Sequence, residues 1–582
     1  MRPSAHILRA AVAAAMLFAA PAALRADDDD PEVQTALEAM DDTPEDTATG
    51  AYLSGLHAQR QHDYAAAAAF ILKALEEDPD DGALRVRAFQ LLLSEGRIDD
   101  ALPFARDIVK GSPGNWLAAM TVAVDAVRRG DAALAEQTMQ RVPDTGINRL
   151  LTPLVRAWIL AEAGKPDAGV IAMEPLRQQQ ALRPIVAMQS ALIFDRAGRQ
   201  AEAAERFQAA LQQAPGNLRL VRFAANFHLR SGQPAAAREV LERFVETTGE
   251  PDLVADEVRE ADAGQGAGQA KPIVRSSSDG LAEALFDIAG IANQPQSRDL
   301  SLILARFALA LRPDHSLALL LVAEMLDDYE RPEAARALFL RVPKDSPMHW
   351  SARLRAAVAL DRMDRTDEAI AELKRMVEER KDSPDAALRL GDILRARSRF
   401  EEAIGAYDTG VSRIPDVEKR HWSIIYSRGI ALERTKQWER AENDFQRALE
   451  LQPEQPYVLN YLAYSWVDRG INLDRSLDML RRAVEQRPDD GYIVDSLGWV
   501  MYRLGRFEEA TRHLERAVEL RPLDPVINDH LGDAYWRTGR RQEARVQWQR
   551  ALTLKPEADQ VKPIEDKLAR GLETDAKRPN GG

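Results

Sequence analysis

Between residues 48 and 558 the apolar positions recur at i, i+3, i+4 and i+7 in paired stretches, with short polar turns between them. That spacing places the apolar side chains along one face of successive amphipathic helices. The pattern returns every 34 residues. The unit Pro525 to Ala558 shows it most fully, with Leu531, Gly532, Tyr535, Gly539, Ala544, Trp548, Ala551 and Pro556 at unit positions 7, 8, 11, 15, 20, 24, 27 and 32. One unit earlier the same positions hold Leu497, Gly498, Met501, Gly505, Ala510, Leu514, Ala517 and Pro522.

Carried back, this register predicts fourteen units, beginning at Ala48, Gly82, Trp116, Leu150, Pro184, Leu218, Ala282, Ser316, Trp350, Pro384, Trp422, Pro456, Gly491 and Pro525. Each reads as two antiparallel helices joined by a tight turn. Position 15 closes the first helix, where a left-handed backbone favours glycine; Gly96, Gly130, Gly164, Gly198, Gly232, Gly470, Gly505 and Gly539 stand there. Positions 8 and 20 are small, as a close approach of two helices requires, and position 32 is commonly proline, which stops the second helix.

On these positions the chain resembles the tetratricopeptide repeat (TPR) family over nearly its whole length. The resemblance implies an all-α, right-handed superhelical solenoid whose first helices line a concave groove for other proteins or peptides. The register breaks between Pro251 and Gly280, which includes Gly264, Gly266, Gly268, Lys271, Pro272 and Ser276 to Ser278. This is the composition of a linker. The expected organisation is an acidic N-terminal segment at 27–47, an N-terminal array at 48–251, a linker at 252–281, a C-terminal array at 282–558, and a capping helix with a tail at 559–582.

Composition narrows the function. The formal net charge is −15 and no basic stripe stands out, so nucleic acid is excluded as a partner. The chain has no cysteine, which excludes disulfides, thiolate metal sites and cysteine nucleophiles. Arg2 and Arg9, the apolar run Ala10 to Ala20 and the small residues Ala20 and Ala22 read as a secretory signal over 1–26. A periplasmic protein is therefore expected, with no membrane-spanning segment in its mature form. Repeats, linker and termini account for every long segment, so neither catalysis nor a cofactor is expected.

Candidate binding residues concentrate late in the chain. Six of nine tryptophans and seven of eleven tyrosines lie between Trp422 and Trp548. The groove positions of the last four units hold Tyr426, Tyr457, Asn460, Tyr464, Tyr492, Asp495, Trp499, Tyr502, Asp529, Asp533 and Trp536, with His530 beside them. Aromatic anchors ringed by polar groups suit a peptide groove. Arg222 and Asn226 match part of a carboxylate clamp seen in chaperone-binding TPR domains, but the unit that would complete it is replaced by the linker.

The stretches Asn460 to Trp466, Val494 to Trp499 and His530 to Trp536, with Gly280 to Ala289, resemble the long bacterial envelope TPR proteins of the LbcA type. Studied members of that group are outer-membrane lipoproteins that tether a carboxy-terminal processing protease and present cell-wall hydrolases to it. The resemblance thus implies an envelope adaptor with a periplasmic protease and cell-wall hydrolases as partners. This chain departs from the group in lacking the cysteine a lipid anchor needs. The other function open at this point is an assembly factor for a pilus, secretion or polysaccharide export system.

Overall fold

The computed structural model describes residues 47–263 and 271–572. The signal segment 1–26, the acidic residues 27–46, the glycine run 264–270 and the tail 573–582 lie outside the described residues. All regular structure among those described is helical. Helices begin at Ala48, Gly82, Trp116, Leu218, Ser316, Trp422, Pro456, Gly491 and Pro525, on the predicted unit starts, and at Asn148, Arg183, His349 and Asp385, within two residues of them. Side chains at their entrances accept the first free amides: Asp490 from Tyr492 and Ile493, and Asp524 from Val526 and Ile527.

Position 15 is left-handed in every unit but the seventh, whether or not glycine occupies it. The eight glycines there have φ between +71° and +90°, and His62, Glu330, Asp364, Ser398 and Lys436 occupy the same place with φ between +53° and +63°. The turn geometry is thus set by the packing of the helix pair, and a side chain there is held against its backbone preference. Ser398→Gly and Lys436→Gly, at exposed turns, are expected to stabilise the fold by about 0.5–1 kcal/mol each. An unchanged or lowered denaturation midpoint in both would count against that reading.

Position 20 is fully buried throughout, with Ala67, Ala203, Ala335, Ala441, Ala510 and Ala544 at 0% exposure. Two polar cases show what it touches. Ser301 donates its hydroxyl to the carbonyl of Ala289, at position 8 of its unit, at 2.7 Å. A Cβ on Gly169 would stand 2.5 Å from the corresponding carbonyl of Ala157. Glycine at position 8 makes room for a large residue at position 24: a Cβ on Gly391, Gly429, Gly498 or Gly532 would meet Tyr407, Phe445, Leu514 or Trp548 at 2.5–2.7 Å.

The seventh unit departs from the register. Its first helix begins at Ser277, not Ala282, because Ser276 caps it by accepting from the Asp279 amide at 3.0 Å. Part of the segment expected to be linker is therefore ordered. Pro251–Val254 forms a 3-10 turn and Ala255–Ala263 a helix packed on Pro234–Thr248. Gly280 lies inside Ser277–Ala292, buried under Trp158, where an added Cβ would stand 2.2 Å from the ring. The chain forms two compact units, one up to Ala359 and one from Leu360, so the compositional break falls within the first.

Candidate protein-binding face

In the second unit, the first helices Trp422–Arg434, Pro456–Arg469, Gly491–Arg503 and Pro525–Arg537 carry the twelve candidate residues, and these meet different fates. Tyr426 joins an aromatic cluster with Trp422, Phe445 and Tyr461, its ring 5.9 Å from that of Tyr461. Tyr464 is half-buried, and burial with Asp495 close by raises its phenol above the usual range.

Asp495, Trp499, Tyr502 and His530 form one assembly between neighbouring first helices. The buried His530 ring places Nδ1 3.0 Å from both carboxylate oxygens of the buried Asp495. Trp499 stacks on His530 at 4.0 Å and on Tyr502 at 4.8 Å. Burial works against the imidazolium, yet Asp495, with Asp529 and Asp533 nearby, raises the pKa of His530. This arrangement binds one repeat to the next.

Asp529, Asp533 and Trp536 are engaged by the chain itself. The terminal helix Ala558–Arg570 lies across them, and Lys567 reaches Asp529 at 2.7 Å and Asp533 at 2.9 Å. Asp533 also accepts from Trp548 Nε1 at 2.9 Å. Trp536 packs against Gly571, where a Cβ would fall 2.0 Å from the indole. A basic group of the kind expected to dock on these aspartates is already present as Lys567.

What remains open is a row on two consecutive helices. Tyr457 and Tyr492, both at position 2, are 41% and 50% exposed. Arg487 lies over the first ring at 5.7 Å and Arg521 over the second at 5.0 Å. Asn460, one turn from Tyr457, has a buried Oδ1 without a hydrogen-bond donor, and Trp499 has a buried Nε1 without an acceptor.

The clamp candidates in the first unit are filled by the chain's own backbone. Arg222 donates to the Leu253 carbonyl at 2.9 Å and pairs with Glu257 at 2.7 Å. Asn226 donates to the Lys271 carbonyl at 3.1 Å. Beside them lies a charge cluster that the sequence reading did not identify. Arg219 pairs with Glu283 at 2.5 Å and with Asp287, and Glu283 also meets Arg312 at 3.0 Å and His315 at 3.3 Å. Gln189 bridges Asp287 to Trp158 Nε1, both contacts 2.8 Å. Burial opposes ionisation of Glu283, but His315, Arg219 and Arg312 together hold it below the usual carboxylate range. Burial prevails at Asp287 and raises it. Glu283 and Asp287 sit one turn apart in the stretch Gly280 to Ala289, and that spacing was the available signal; here they seat a helix.

Stacked helix pairs with small residues at the pair interface, a left-handed turn between the helices, and open first-helix faces define a repeat scaffold that works by holding other chains. The chain matches the family described as tetratricopeptide repeat over residues 58–121, 196–255, 326–384, 354–417, 422–455 and 496–559. It belongs to the tetratricopeptide repeat family, whose members mediate protein–protein interaction. A TPR repeat-containing protein of Pseudomonas aeruginosa is 28% identical over 167 residues, which is 28% of this chain and 27% of that protein. The match thus spans about a quarter of that relative's length. Among solved structures, the Cut9–Hcn1 hetero-tetramer of the APC/C is 15% identical with a TM-score of 0.38, covering 90% of this chain and 96% of that one. YrrB, described as a TPR protein with an unusual peptide-binding site, is 18% identical with a TM-score of 0.27, covering 33% of this chain and 97% of that one. Among the described residues, no helix is long and apolar enough to cross a membrane.

Proposed function

We propose that this protein is a non-catalytic adaptor of the bacterial envelope that holds an extended segment of a partner protein on its C-terminal repeats. The observation that carries this is the open row formed by Tyr457 and Tyr492 on successive first helices. Two aromatic faces on successive repeats offer apolar anchors for an extended chain. The envelope placement rests on the signal-like residues 1–26. The resemblance of Asn460 to Trp466 and of Val494 to Trp499 supports a finer reading, in which the partners are a carboxy-terminal processing protease and the cell-wall hydrolases it degrades.

Truncating an aromatic anchor commonly costs about 2 kcal/mol of binding or more. Tyr457→Ala with Tyr492→Ala should therefore remove the main partner recovered from envelope extract, with helicity and melting unchanged because both rings are exposed. Equal recovery by the double variant would place the site elsewhere. Recovery of pilus, secretion or polysaccharide-export components, and not a protease with hydrolases, would favour the assembly-factor role.

A further inference from the structure

The first compact unit carries a second surface that the groove reading does not use. The second helix of the fourth repeat, Pro166–Ala172, ends after seven residues, whereas its counterpart one repeat on, Gln200–Gln213, has fourteen. Pro175 cannot supply the amide that a continuing helix needs. Two 3-10 turns, Glu174–Gln178 and Gln180–Leu182, lead instead to the helix Arg183–Arg196. The missing half-helix leaves a recess of about 1150 Å³ against Gln200–Gln213.

The charge in this recess is unlike its surroundings. Its lining holds Arg177, Arg183 and Arg206 against one acid, Glu174, and that acid is paired with Arg177 at 2.8 Å. Arg183 donates Nε to the Arg177 carbonyl at 3.0 Å and meets no carboxylate among the described residues. Arg206 has no ion pair there either, and its Nε is buried with no acceptor. Several arginines of the same and neighbouring repeats are committed to acids: Arg156 to Glu136, Arg196 to Glu162, Arg199 to Asp167 and Glu202, and Arg230 to Asp195. In a chain of net charge −15, the buried Arg206 Nε without an acceptor has a cost that an anionic ligand would remove, and the exposed Arg183 adds a second positive charge beside it.

We propose that this recess binds an extended acidic segment of a partner protein. Its volume exceeds the usual range for a small-molecule site, roughly 300–1,000 Å³. Its floor is apolar at Val186, Ala187 and Ala209, which suits side chains alternating with the acids. Gln178 and Gln180 supply both donors and acceptors, as a peptide backbone requires and a phosphate does not. The recess shares no lining residue with the Tyr457 and Tyr492 row.

The test is fluorescence anisotropy of the full chain with a labelled octapeptide of alternating glutamate and leucine. The peptide should bind, more weakly as salt rises, and the matched lysine–leucine peptide should not. Arg183→Glu with Arg206→Glu should weaken binding by at least about tenfold, with circular dichroism unchanged. Should that double variant not fold, Arg183→Glu alone, at an exposed position, should weaken binding about threefold. Equal affinity in the variants, or no binding by the parent, overturns the proposal. Displacement of the peptide by inorganic phosphate at matched concentration would make the recess a simple anion site and also overturn it.

Discussion

Arg219→Met should lower the unfolding free energy of the first compact unit by about 3–5 kcal/mol, because it leaves Glu283 and Asp287 buried without their main cation. Side-chain exposures of 4% and 7% mean that water cannot replace the guanidinium. The loss should appear as earlier chemical denaturation and as faster hydrogen exchange across Ser277–Ala292. A loss under about 1 kcal/mol would show that Arg312 and His315 carry the site alone. The pH profile is a weaker test, because the two acids oppose each other. Glu283, held below its unfolded value, contributes stability above that value, and the contribution is lost as the pH falls through its folded pKa. Asp287, raised above its unfolded value, contributes stability at low pH that is lost as the pH rises through its folded pKa. The variant therefore separates what titration would blur.

The same cluster shows where sequence reasoning reaches its limit. The 34-residue register was legible because it is local: a carbonyl at position 8 against the side chain at position 20, and a left-handed residue at position 15, are fixed within one helix pair. The pairing of Arg219 with Glu283 spans 64 residues, across a segment whose length follows no register. Nothing in the repeat indicates that a later helix folds back onto the earlier ones. Glycine and serine between Gly264 and Ser278 read as linker. Gly280 has the opposite role, since its missing side chain admits Trp158.

The candidate face was legible as a set of positions but not as a set of roles. Tyr457, Tyr492, Trp499 and Asp533 all occupy groove positions of first helices. Whether such a residue meets solvent, the next repeat or the terminal helix depends on what lies beside it. Trp499 lies against His530 of the following repeat, and Asp533 lies under Lys567. Tyr457 and Tyr492 have only an arginine over each ring and stay open. A binding test that mutated Asp533 would therefore confuse lost recognition with lost stability.

Lys567→Ala should destabilise the C-terminal end of the second unit by about 3 kcal/mol at pH 8, with a cost that shrinks towards pH 5. Burial, with Asp529 alongside, raises Asp533 to about 6 even though Lys567 pulls the other way. Its unfolded value is about 3.9. A folded pKa above the unfolded one means that Asp533 favours the fold most at low pH, and that this contribution is lost as the pH rises through about 6. His530, also raised, acts in the same direction. The parent should therefore melt higher at pH 5 than at pH 8. Removing Lys567 takes away the main group that eases ionisation of Asp533 and leaves only His530 to do so, so the variant should go on losing stability up to a higher pH than the parent. Adding Asp533→Asn should recover most of the loss at pH 8, because the amide oxygen can still accept from Trp548 without a buried charge. Thermal melts from pH 5 to 8 decide the matter: a Lys567→Ala cost that is constant with pH, or one that Asp533→Asn does not relieve, would mean that the terminal helix is held by packing on Trp536 and not by this ion pair.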